Sequence, residues 1–184
     1  FNRTLHVEKF ATDIERLGAR TLVVGSAYVE TGRRLLAETA LEHLVVCDAT
    51  AQPDPADLRA LAARPRPPAP VVPRPDAHAA AVNFTGGTAG VSKGVVFPHG
   101  RLALSAQGSL FFDRLRSSDV NLSCISLYHS GGIHDAVKWV MAGAANVLTG
   151  GWDAALAARL ITEHRPTWIY FWVPTMVRDL MRHP

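Results

Sequence analysis

The residues best suited to chemistry lie in one short stretch, Phe84-Thr-Gly-Gly-Thr-Ala-Gly-Val-Ser-Lys-Gly94. Gly86, Gly87, Gly90 and Gly94 let the backbone turn tightly and leave its amides uncovered, which suits the cradling of anionic oxygens. Thr85, Thr88 and Ser92 add hydroxyl donors, and Lys93 adds one mobile positive charge. A phosphate group matches such a set. A flexible glycine loop with surface threonines would carry the same residues, so the loop's composition leaves both readings open. The P-loop of NTPases is disfavoured: Lys93 is followed by Gly94 and a β-branched run, where that motif needs Ser or Thr and a helix N-terminus. The second candidate is His129 in Leu127-Tyr-His-Ser-Gly-Gly132. An imidazole at a strand-to-helix turn either faces a pocket or makes a structural hydrogen bond. His134, Asp135 and Lys138 read most simply as a solvated helix face, with a polar substrate contact as the alternative.

The loop resembles the phosphate-binding signature of the adenylate-forming superfamily, which includes acyl-CoA synthetases, aryl-CoA ligases and luciferases. The family pattern is aromatic-Thr-Ser/Gly-Gly-Thr-Thr-Gly-x-Pro-Lys-Gly. Phe84, Thr85, Gly86, Gly87, Thr88, Gly90, Lys93 and Gly94 match it, while Ala89 replaces the second Thr and Ser92 the Pro. Val95-Val-Phe-Pro-His-Gly100 fits the strand and helix start that follow. Leu127-Tyr-His-Ser-Gly-Gly132 is similar to the family's aromatic-His-x-x-Gly segment beside the acyl and thiol tunnel. Residues 152–180, with Val173-Pro-Thr-Met176, look like the family's helix–strand–helix near the substrate channel.

The resemblance implies activation of a carboxylic acid by ATP to an acyl-adenylate, followed by transfer to a thiol such as coenzyme A. In that role Thr85, Gly86, Gly87, Thr88, Gly90, Ser92 and Lys93 would hold the β- and γ-phosphates, and His129 would lie near the carboxylate. Family members that activate amino acids carry Asp at this position, so His129 argues against an α-amino acid. The chain corresponds to an internal part of the family's large N-terminal domain. The family's adenine, ribose and magnesium residues, and its C-terminal Lys, would lie outside it. The 184 residues alone are therefore expected to lack turnover, to bind ATP weakly and to self-associate through uncovered apolar surface. The competing reading is a nucleotide- or anion-binding module without catalysis.

The elements that must position these groups follow from apolar periodicity. Val7, Phe10, Ile14 and Leu17 recur at helical spacing before Gly18, and helices are also expected over 31–41, 55–63, 101–115, 133–142, 153–164 and 174–182. Strands are expected over 21–25, 44–47, 80–85, 95–97, 122–127, 146–148 and 167–172. Eight of the 12 prolines lie from Pro53 to Pro75, where PRPPAPVVPRP can form neither a helix nor a central strand and reads as an extended surface connection. Strands separated by helices imply parallel β-α-β units. The expected class is α/β, with two subdomains of mostly parallel sheet flanked by helices, over residues 1–115 and 116–184.

Composition excludes other classes. With 48% hydrophobic and 19% charged residues, the chain can bury a core and is too apolar for disorder. No apolar run reaches the roughly 20 residues that a membrane helix needs, and FNRTLHVEKF does not read as a secretory signal. A net charge of +3 without a concentrated basic face disfavours nucleic acid as a partner. Cys47 and Cys124 both sit in apolar runs and read as buried free thiols, which suits a reducing cytoplasm.

Overall fold

A computed structural model describes residues 7–48, 56–84, 93–171 and 173–183. The chain packs as two units, residues 1–71 and 72–184. This division falls inside the proline-rich stretch, earlier than the expected boundary at 115/116.

The first unit begins with α1 (Val7–Leu17), whose apolar stripe ends at Gly18. Gly18 sits at φ 61°, and Ala19 N donates to Ile14 O across the helix end. Strand β1 (Thr21–Val24) leads through a single 3₁₀ turn into α2 (Val29–Glu38) and then β2 (His43–Val46). A two-residue strand, β3 (Ala56–Asp57), follows, and Asp57 caps α3 (Leu58–Ala63) by accepting from Arg59 N at 2.8 Å. The β1-β2-β3 sheet is parallel throughout. Ile14, Leu22, Leu35, Leu41 and Leu44 form its core, so alternate strand residues meet the helical stripes. Helix was expected from residue 55. A parallel edge strand stands at Ala56–Asp57 instead, because it pairs with Val45 and Val46. Cys47 lies just past β2 and is exposed, which corrects its expected burial.

The second unit opens with an antiparallel pair, β4 (Ala79–Phe84) and β5 (Gly94–Pro98), followed by α4 (His99–Phe112). The parallel rule therefore fails for this pair. Its strands are joined by a loop too short for a β-α-β crossover. Helix α4 packs against α5 (Ser130–Ala142), across the boundary expected at 115/116. The rest is a parallel sheet in the order β7-β6-β8, from β6 (Val120–Ser123), β7 (Ala145–Leu148) and β8 (Trp168–Ile169). Helices α6 (Ala154–His164) and α7 (Pro174–Arg182) complete the unit. Leu122 and Cys124 pack with Ala157, Leu160 and Leu180 on the α6–α7 side. Asn121, one step out of phase, donates to Asp135 on α5. The strand expected to run to Leu127 ends at Ser123, and residues 124–129 become a turn. No described helix is long and apolar enough to cross a membrane.

Asp119 ties the start of this sheet together. Its carboxylate accepts from Arg116 N at 2.7 Å and from Thr167 Oγ1 at 2.9 Å. The Arg116 amide, and then the Thr167 hydroxyl, hold its pKa below the ordinary value of 3.8. A depressed carboxylate stabilises the fold fully above that value, and the contribution is lost as pH falls through the lower, folded pKa. Asp119→Asn is expected to flatten the acid limb of stability against pH below about 4 while changing nothing in its shape above pH 6. Denaturant melts across pH 2–7 (~0.5-unit steps) would show this.

Candidate active site

Phe84 and Gly94 are register partners, so β4 and β5 close the glycine-rich loop as the connection of an antiparallel pair. Thr85, Gly86, Gly87, Thr88, Gly90 and Ser92 lie outside the described residues. Lys93 is exposed at the step into β5. A loop pinned at both ends by a strand pair has less freedom to lose when it wraps an anion.

The second region is a cleft of about 470 Å³ beyond the C-terminal ends of β6 and β7. Cys124, Ile125, His129, Trp152, Val173 and Met176 line most of it. Loops at the carboxyl edge of a parallel sheet are where ligands bind in open α/β folds, because helix N-termini converge there. His129 is the N-cap of α5, in extended backbone at φ −85° and ψ 147°. Its amide donates to Ser126 O at 3.0 Å, its carbonyl accepts from Ile133 N at 3.1 Å, and its side chain does not cap the helix. The imidazole lies 4.4 Å from the Tyr128 ring, exposed on the cleft side. Ser130 and Gly131, the first residues of α5, line the same cleft. Their end of the helix carries partial positive charge, which favours a carboxylate.

Neighbouring loops are locked to this turn. Ser126 Oγ donates to Gly150 O at 3.0 Å, and Thr149 N donates to Ser123 O at 3.1 Å. Trp152 is held by its indole N–H to Asp179 at 3.4 Å and by an edge-on contact with Phe171. Burial pushes the Cys124 thiol up, against the smaller opposing effect of a hydrogen bond with Thr149. A thiol held protonated is a wall of the cleft, not a nucleophile. Among the described residues no group of three His, Cys, Asp or Glu could hold a metal ion, so magnesium is assigned no residue here.

The polar trio on α5 needs correcting. Asp135 and Lys138 are 1% and 3% exposed, not solvated. Asp135 accepts from Asn121 Nδ2 and Trp139 Nε1, both at 3.1 Å, and pairs with Lys138 Nζ at 3.2 Å. Lys138 Nζ also sits 3.9 Å over the Tyr170 ring. Gly132, Asp135, Lys138 and Trp139 form the buried face of α5, and this helical spacing with Trp139 is the signal that sequence reading missed. None of these network residues is among the described residues that line the cleft.

Comparison with known proteins adds a family and a fold. The model of a family described as AMP-binding enzyme matches residues 1–184. Over 104 residues the chain is 32% identical to a chloroplastic/peroxisomal 2-succinylbenzoate–CoA ligase of Arabidopsis thaliana, covering 56% of this chain and 18% of that protein. A long-chain-fatty-acid–CoA ligase from Archaeoglobus fulgidus superposes with a TM-score of 0.82 at 23% identity, over 98% of this chain and 35% of that one. ATP-bound MatB from Rhodopseudomonas palustris superposes at 0.81 with 21% identity, over 100% of this chain and 35% of that one. The chain therefore spans about a third or less of each of these three proteins.

Proposed function

The chain belongs to the AMP-binding enzyme family, and from that premise we propose that the protein containing it activates a carboxylic acid with ATP and passes the acyl group to a thiol, coenzyme A being the expected acceptor. The observation that carries this reading is the loop Phe84–Gly94 closed by the β4–β5 pair. In the first step a carboxylate oxygen attacks the α-phosphorus and pyrophosphate leaves, giving an acyl-adenylate. In the second a thiolate attacks the acyl carbon and AMP leaves.

In this reading Lys93, the hydroxyls of Thr85, Thr88 and Ser92, and the amides around Gly86, Gly87 and Gly90 hold the β- and γ-phosphates. They offset the charge that develops on pyrophosphate as it departs. The carboxylate of the acid lies in the cleft at the start of α5, with His129 beside it. His129 carries no fixed negative charge, so the cleft offers no counter-ion for an α-ammonium. Uncharged walls at Ile125, Trp152 and Met176 suit an apolar acyl chain or ring.

The test is ATP–pyrophosphate exchange by the full-length protein against a broad panel of carboxylic acids. Acid-dependent exchange is expected. Lys93→Ala should reduce it roughly 10- to 150-fold, the equivalent of losing one charge-assisted hydrogen bond worth about 1.5–3 kcal/mol. ATP binding without exchange for any acid would favour a nucleotide-binding module instead.

A further inference from the structure

The proline-rich stretch plays no part in the activity proposed above, yet its spacing is regular. Residues 64–75 hold six prolines and three arginines and no acidic residue. All twelve are exposed, and residues 65–75 form neither helix nor strand. Arg64 is already extended at φ −69° and ψ 128°. Each proline fixes φ near −65° and pushes the residue before it out of the helical region, so the stretch is held extended and favours polyproline II. That helix has three residues per turn. Arg64, Pro67, Pro70 and Pro73 therefore share one edge, and Pro65, Pro68 and Val71 share the next.

On the third edge Arg66 lines a concavity of the first unit with Ala56 and Leu61. On the second edge Val71 is 94% exposed. Two proline-bearing edges thus stand outward as a ridge pair with an arginine at one end. We infer that this segment is a docking ligand for a protein domain with an aromatic-lined groove closed at one end by carboxylates. Proline rings fill slots between aromatic side chains, and Arg64 pairs with the acidic end. The helix is formed before binding, so little ordering entropy opposes association.

The experiment titrates the full-length protein with a purified SH3-type domain that has such a groove and an acidic specificity pocket. Saturable binding is expected, weakened at least tenfold by Pro67→Ala/Pro70→Ala and at least tenfold by Arg64→Glu. The second variant leaves the prolines intact, so it separates charge recognition from backbone stiffness. Both sites are exposed, and an unchanged melting temperature identifies the folded variants. No saturable binding by the native chain, or binding that both variants leave intact, overturns the inference and leaves the segment as a stiff spacer only.

Discussion

Asp135→Ala is expected to destabilise the protein by about 3–5 kcal/mol, the range for breaking a buried ion pair by removing one partner. The carboxylate is the shared acceptor of three buried donors: Lys138 Nζ, Trp139 Nε1 and Asn121 Nδ2. Removing it leaves Trp139 Nε1 without its acceptor and the buried Lys138 charge without its counter-ion, while Asn121 Nδ2 keeps its bond to Asn146 Oδ1. Lys138→Met should cost less, about 1–3 kcal/mol, because Asp135 keeps two donors and the methionine fills the same volume. Denaturant melts of both variants would show the order. Equal losses, or a larger loss for Lys138→Met, would mean that Asp135 is not the hub of the network.

Gly132→Ala is the second large effect. A Cβ at this position would lie 2.4 Å from Ser126 O and 3.0 Å from Leu127 Cα, both backbone atoms with no freedom to rotate away. The turn that carries His129 must move to accept it. Overpacking of this kind costs about 1–3 kcal/mol, but the greater consequence is functional. A displacement of about 1 Å at a reacting group can cost about 100-fold in rate, so acid-dependent exchange should fall on that scale. Gly108→Ala is the control, since a Cβ there meets nothing within 4 Å in the interior of α4. That variant should gain up to about 1 kcal/mol of stability from helix propensity and exchange normally. Wild-type exchange by Gly132→Ala would show that the turn has slack or that His129 plays no part.

Helices were the most legible elements. The Val7–Leu17 stripe before Gly18 combines a period with a local signal, and the helices expected over 153–164 and 174–182 run over Ala154–His164 and Pro174–Arg182. Strand ends were less legible. Residues 122–127 hold no Gly or Pro to mark a turn, and only the close approach of Gly132 to Ser126 shows why the chain turns after Ser123. The antiparallel β4–β5 pair was hidden because alternation reports a strand's faces and not its partner's direction. The cleft was half visible. His129 and the 173–176 turn could be named from sequence, but Cys124 and Trp152 join them only through tertiary packing. The burial of Asp135 and Lys138 was misjudged because their charge outweighed the helical spacing that places them on one face with Gly132 and Trp139.

The proposed reaction begins with attack of a carboxylate on the α-phosphorus of ATP. Its most direct test supplies the full-length protein with an accepted acid labelled with ¹⁸O in the carboxylate, together with ATP and coenzyme A, and measures the products by mass spectrometry. Attack at the α-phosphorus leaves one carboxylate oxygen on phosphorus when the thiol releases AMP. The account therefore predicts one ¹⁸O in AMP and none in pyrophosphate. Label in inorganic phosphate would mean attack at the γ-phosphorus and an acyl phosphate intermediate. That result, or thioester formation with unlabelled AMP, would contradict the account.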